Sequence, residues 1–222
     1  MYYYIIFFLS FILTVGSQSY IQSTYRKTKK ISSNKNMSGK DVARKILDAN
    51  DLKNVKVEEV SGTLTDHYDP QKKVVRLSSD IYHNTSLASV SVASHECGHA
   101  LQDKEGYSFL RFRNRIIPLV NFASRAGYII ILISIFTSLT KLIWIGIGME
   151  LVILLFQIVT LPVEFNASRR ALQQLLDLKI VGEKEHASCK EMLRAAAFTY
   201  VASVATAILE IVRLLLMTRR DD

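Results

Sequence analysis

The sequence predicts a mainly α-helical integral membrane protein, with about four transmembrane helices and a small α+β soluble part. Three observations carry that expectation. Of 222 residues, 49% are hydrophobic, and they bunch into four long runs. A span needs about 20 mostly apolar residues, which each run supplies. The segments between the runs alternate helical and strand periodicity and suffice for one small core. The net charge of +8 gathers beside the runs, the pattern of residues flanking a membrane. No basic patch interleaves with aromatics, so the charge does not argue for nucleic acid. Nine Gly and three Pro exclude a collagen-like or low-complexity chain. Two cysteines, Cys97 and Cys189, are too few for a disulfide framework and suit a reducing compartment.

The first run, Tyr2 to about Tyr20, defines an N-terminal anchor over residues 2–22. Arg26, Lys27, Lys29 and Lys30 follow it and no cation precedes it, the reverse of a cleaved signal peptide. The N-terminus is expected outside and the basic side in the cytoplasm. Residues 36–115 form the first soluble part. Ser38-Gly39-Lys40-Asp41 reads as a capping box before a helix carrying Val42, Ala43, Ile46 and Leu47. Val55 and Val57 alternate as a strand. Thr63–Tyr68 and Lys72–Ser78 read as strands around an Asp69-Pro70-Gln71 turn. The second of these strands is the expected edge for an extended substrate. A further helix is expected from about Thr85 to Glu105, with Gly106 as its stop.

A transmembrane hairpin follows over 116–163, linked at Thr140-Lys141. A helical part over 164–194 and a C-terminal span over 195–217 complete the chain. Arg125, Glu150, Glu210 and Arg213 are ionisable residues inside the runs, where charge is costly and usually paired. Glu210 and Arg213 can pair on one helix, and Arg125 with Glu150 across the hairpin.

The informative residues are His95-Glu96-Cys97-Gly98-His99, an H-E-x-x-H pattern. Residues four apart share a helix face, so both imidazoles can bind one zinc ion. Glu96 then sits beside the open position, where it can take a proton from the attacking water. Gly98 either admits a close neighbour or is merely tolerated. Cys97 points off the His face and reads as a small buried residue. A third ligand is needed. His67, His83 and His186 are available, and so are many carboxylates. Context favours Glu164, just past the third run. Two crossings separate it from His99 and return the chain to the same side. Otherwise Glu164 is an ordinary acid at a helix start. Arg169, His186, Arg194 and Tyr200 are candidates for stabilising an oxyanion.

Leu64-Thr65-Asp66-His67-Tyr68-Asp69-Pro70, the H-E-x-x-H helix and Leu161-Pro162-Val163-Glu164-Phe165-Asn166-Ala167-Ser168-Arg169-Arg170-Ala171 together resemble the membrane zinc metallopeptidases of bacteria. The resemblance spans nearly the whole chain. More distantly, the sequence is similar to the heat-shock membrane protease and CAAX prenyl protease group. The resemblance implies a zincin-like soluble domain with one Zn2+ per chain on His95, His99 and Glu164, and Glu96 as general base. It implies an endopeptidase integral to the plasma membrane. The cations after the first run (Arg26 to Lys35) and before the second (Arg111, Arg113, Arg115) predict a site facing the cytoplasm. The second run begins soon after His99, so the expected substrates are membrane or membrane-proximal proteins. The expected partners are a peptide or protein substrate and the lipid bilayer, with no nucleic acid. The alternative is a catalytically silent membrane protein that keeps the zinc site as a structural or partner-binding element. The wider group carries Asp four residues after the third ligand. Here that position is Ser168.

Overall fold

The computed structural model describes residues 2–137 and 141–218. It shows a mainly helical chain with a small sheet. In order these are α1 (Tyr2–Lys29), α2 (Gly39–Ala49), β1 (Lys56–Val60), β2 (His67–Asp69), β3 (Val74–Ser78) and α3 (Ser79–His83). They are followed by α4 (Leu87–Lys104), α5 (Ser108–Thr137), α6 (Lys141–Asp177) and α7 (Glu183–Thr218). Helices α1, α5, α6 and α7 are long and apolar enough to cross a membrane. Thr140, in the expected hairpin link, lies outside the described residues. Helices α6 and α7 run on through residues 163 and 194, where the sequence changes from apolar run to polar segment or back. A switch from apolar to polar surface does not end a helix whose backbone hydrogen bonds continue. Even Pro162 is accommodated inside α6.

The chain divides into two compact units. One comprises residues 2–19, 111–162 and 198–218 among those described. Its packing is that of apolar helices against one another: Ile143, Ile147 and Leu214 are buried together. Gly127 lies where a Cβ would come 2.9 Å from Met149 Cβ, and Gly146 where one would come 2.6 Å from Ile131 Cγ1. Small residues are what let such helices approach closely. Phe122, Trp144 and Leu155 are exposed, as suits contact with lipid tails. Arg213 donates to Glu210, the pair expected on one helix. Arg125 and Glu150 do not pair: Arg125 is exposed. Glu150 lines a cavity of about 370 Å³ together with Gln157, Thr206 and Glu210.

The other unit, residues 20–110 and 163–197, contains the sheet and the H-E-x-x-H helix. Helix α2 starts at a complete capping box: Ser38 Oγ accepts from the Asp41 N–H, and the Asp41 carboxylate accepts from the Ser38 N–H. Its Val42, Ala43, Ile46 and Leu47 are fully buried. The strand order is β1-β3-β2, with β1 parallel and β2 antiparallel to β3. β3 is therefore central, which overturns the expectation that Lys72–Ser78 forms a free edge. The turn before it follows local chemistry: Asp69 Oδ1 accepts from the Gln71 and Lys72 N–H groups, each at 3.0 Å. Strand β2 is shorter than the expected Thr63–Tyr68. The short helix α3 is a further element that periodicity did not reveal, being little more than one turn.

Helix α4 is the core of this unit. Ser86 caps it by accepting from the Ser89 N–H. Its small residues Ala88, Ala93 and Ala100 and its Cys97 are buried, and the Cys97 Sγ packs 3.6 Å from the Ala43 carbonyl of α2. The helix ends as its sequence requires. Gly106 takes φ +67°. Its N–H reaches Asp103 O and the Tyr107 N–H reaches Gln102 O, which together make a Schellman closure.

Candidate metal centre

Helical spacing places His95, Gly98, His99 and Gln102 of α4 along one stripe, and Glu164, Ala167, Ser168 and Ala171 of α6 along another. The two stripes face each other because nothing bulky stands between them. At Gly98 a Cβ would come 2.4 Å from the Ala167 carbonyl oxygen. Of the two readings of this glycine, close approach of another backbone is the one observed, and that backbone carries Glu164. Gly98→Ala is accordingly expected to destabilise the fold by about 1–3 kcal/mol through overpacking, read as a lower melting temperature in detergent.

The approach brings one atom each from His95, His99 and Glu164 within 4.8 Å of one another. His95 Nε2 lies 3.2 Å from Glu164 Oε2, and His99 Nε2 lies 3.6 Å from the same oxygen. The side chains are 14%, 10% and 4% exposed respectively. The rings of His95 and His99 meet edge-on, their centroids 4.8 Å apart.

The hydrogen bonds behind the rings decide which nitrogens are free. Gln102, fully buried, has its Nε2 2.8 Å from the Val163 carbonyl oxygen. A carbonyl only accepts, so the amide nitrogen faces it and the amide oxygen faces His99 Nδ1, at 3.0 Å. His99 Nδ1 therefore carries the proton and Nε2 presents a lone pair. His95 Nδ1 lies 3.2 Å from Ser168 Oγ, so its Nε2 also points to the cluster. Two imidazole nitrogens and a carboxylate oxygen thus converge in a buried place. Such a set asks for a cation.

The spacing suits zinc. Ligand distances of about 2.0–2.1 Å at tetrahedral angles put donor atoms about 3.3 Å apart. The two separations from Glu164 bracket that value.

Glu96 lies beside this cluster and contributes no atom to it. It is 7% exposed. Burial pushes its carboxyl up to about 7; the Glu164 and Asp66 carboxylates act the same way, against the His95 imidazole and the Tyr68 N–H. The segment holding Tyr68 is itself tied down. Tyr68 Oη donates to Asp103 Oδ2 at 2.7 Å, and Asp66 Oδ1 accepts from the Ser78 N–H at 2.7 Å. Asp66 and Asp69 are therefore occupied in fixing β2 and its turn.

The other histidines lie apart from the cluster. His67 is exposed, with Nδ1 2.8 Å from Thr65 O and Nε2 3.2 Å from Arg76 Nη1. His83 faces Glu59. Arg169 and Arg194 are exposed. Gln102 was not among the candidates read from the sequence. Its signal was its spacing: it stands three positions past His99, on the helix stripe that carries both histidines.

These features define a membrane protein with a preformed two-His, one-Glu cluster. The family model described as "Putative neutral zinc metallopeptidase" matches residues 3–219. The chain belongs to that family. It is also similar to the protein named "Putative membrane protease YugP" of Bacillus subtilis (strain 168). The two are 41% identical over 212 residues, which cover 95% of this chain and 94% of that one. No solved structure matches the chain significantly.

Proposed function

We propose that this chain is a membrane-embedded, zinc-dependent endopeptidase of membrane or membrane-proximal proteins. His95, His99 and Glu164 hold one zinc ion per chain, and Glu96 is the general base. The observation that carries the reading is the convergence of two imidazole nitrogens and a carboxylate oxygen at a buried point, beside a carboxylate that is not one of them. Bound there, zinc supplies Lewis acidity toward water and a scissile carbonyl. Glu96 takes a proton from the attacking water on its carboxylate and returns it to the leaving amine. His95 and His99 are turned by Ser168 and Gln102 so that their Nε2 atoms face the metal position.

The substrate class follows from the position of the ligands along the chain. Helix α5, one of the membrane-length helices, begins at Ser108, and Glu164 lies within α6, another of them. A site so near the bilayer suits polypeptides held at or in the membrane. The cations at Arg26–Lys35 and at Arg111, Arg113 and Arg115 favour the cytoplasmic side.

The test is cleavage of an unfolded protein and of a membrane-anchored reporter by the purified chain in detergent. Cleavage is expected with zinc, none after chelation, and recovery on adding zinc back. A chain that holds one zinc and cleaves neither substrate would overturn the enzymatic reading in favour of a structural or partner-binding zinc site.

A further inference from the structure

Gln102 lies at the back of the cluster, where it bridges the two helices that supply the ligands. Its oxygen accepts from His99 Nδ1, and its nitrogen donates to Val163 O and to Asn166 Oδ1 at 3.0 Å. The Asn166 oxygen is itself held, accepting from Arg170 Nε at 2.6 Å. Arg170 in turn makes a two-pronged pair with Glu105, at 2.6 and 2.7 Å. A chain of hydrogen bonds thus runs from His99 across α6 and back to the end of α4. Every donor in it meets an acceptor, so the amide cannot flip without setting its NH2 against the His99 Nδ1–H and its oxygen against two acceptors.

We infer that Gln102 is a positioning residue for the metal: its amide oxygen fixes the tautomer and ring plane of His99, while its bonds to α6 serve stability. The inference rests on the zinc reading above. Of the groups that can stand behind a metal-bound histidine, neither ligand imidazole here has a carboxylate: with Ser168 behind His95, both lean on neutral side chains. The site therefore orients its histidines without adding a third negative charge to those of Glu96 and Glu164.

The experiment measures zinc affinity of the full chain in detergent by competition with a chromogenic chelator, alongside the melting temperature of the metal-free protein. Gln102→Met keeps the volume and removes the acceptor, and is expected to weaken zinc binding about 10–100-fold. Gln102→Asn keeps the amide but is one methylene too short, and is expected to fall in the same direction. It serves if the Met variant does not fold. Gln102→Glu keeps an acceptor for His99 and loses the donors to Val163 and Asn166. It is expected to melt lower than the parent while holding zinc about as tightly. That split between stability and affinity is what a purely structural role would not produce. Parent-like affinity in Gln102→Met or Gln102→Asn, or a loss in Gln102→Glu as large as in Gln102→Met, would overturn the inference and leave the zinc site standing. A parent that binds no zinc would overturn the reading beneath it.

Discussion

Glu96→Gln is expected to lower the rate of peptide hydrolysis about 100- to 10,000-fold, the range that a general acid–base group contributes. Zinc content should stay at the parent's level. The two halves of this result come from different features of the site. The carboxamide nearly matches the carboxylate in shape, so the packing around a side chain only 7% exposed is preserved. The three converging atoms belong to His95, His99 and Glu164, and none of them is altered. What the substitution removes is the capacity to accept a proton and give it back. Hydrolysis and bound zinc should be measured on the same preparation. Loss of both would assign Glu96 to the integrity of the cluster. Undiminished hydrolysis would move the base elsewhere.

His95→Ala and Glu164→Ala are each expected to take the protein from about one zinc per chain to essentially none after dialysis. Zinc in such sites rests on three protein ligands, and removing one leaves two. The Glu164 variant is the more informative, because that residue is 69 positions from His95 and reaches it only through the tertiary fold. Its carboxylate is 4% exposed, so no solvent-facing carboxylate replaces it without rearrangement. Elemental analysis of dialysed protein decides the matter. Zinc lost in His95→Ala and retained in Glu164→Ala would place the third ligand elsewhere. His67 would then have to leave its contacts with Thr65 and Arg76 to serve.

The parts of this protein that can be read from sequence are those where the chemistry is local. Four runs of bilayer length announce four long helices, since a helix satisfies its backbone groups within one continuous apolar segment, whereas barrel strands are short and alternate in polarity. The Ser38–Asp41 capping box and the Gly106 stop are decided within a few residues of themselves. The H-E-x-x-H pattern places two imidazoles on one helix face by spacing alone. Glu164 is legible for a different reason: two runs of bilayer length separate it from His99, and two crossings would return the chain to the same side.

Other features depend on pairings between distant segments, and no local pattern carries them. Strand alternation gives the faces of β3 but not its neighbours, so its central place between β1 and β2 emerges only when the sheet assembles. A polarity change at residue 164 resembles a boundary, yet α6 continues because its hydrogen bonds run along the backbone and ignore the surrounding solvent. Gly98 leaves two readings open until the Ala167 carbonyl is found against it. The roles of Gln102 and Ser168 need both helices in place, because each side chain acts on an imidazole through an arrangement spanning α4 and α6. Residue spacing thus specified the two histidines and the neighbouring carboxylate. Which nitrogen of each ring faces the cluster, and which buried oxygen meets it, was decided by the packing of two helices whose contacts lie more than sixty residues apart in the chain.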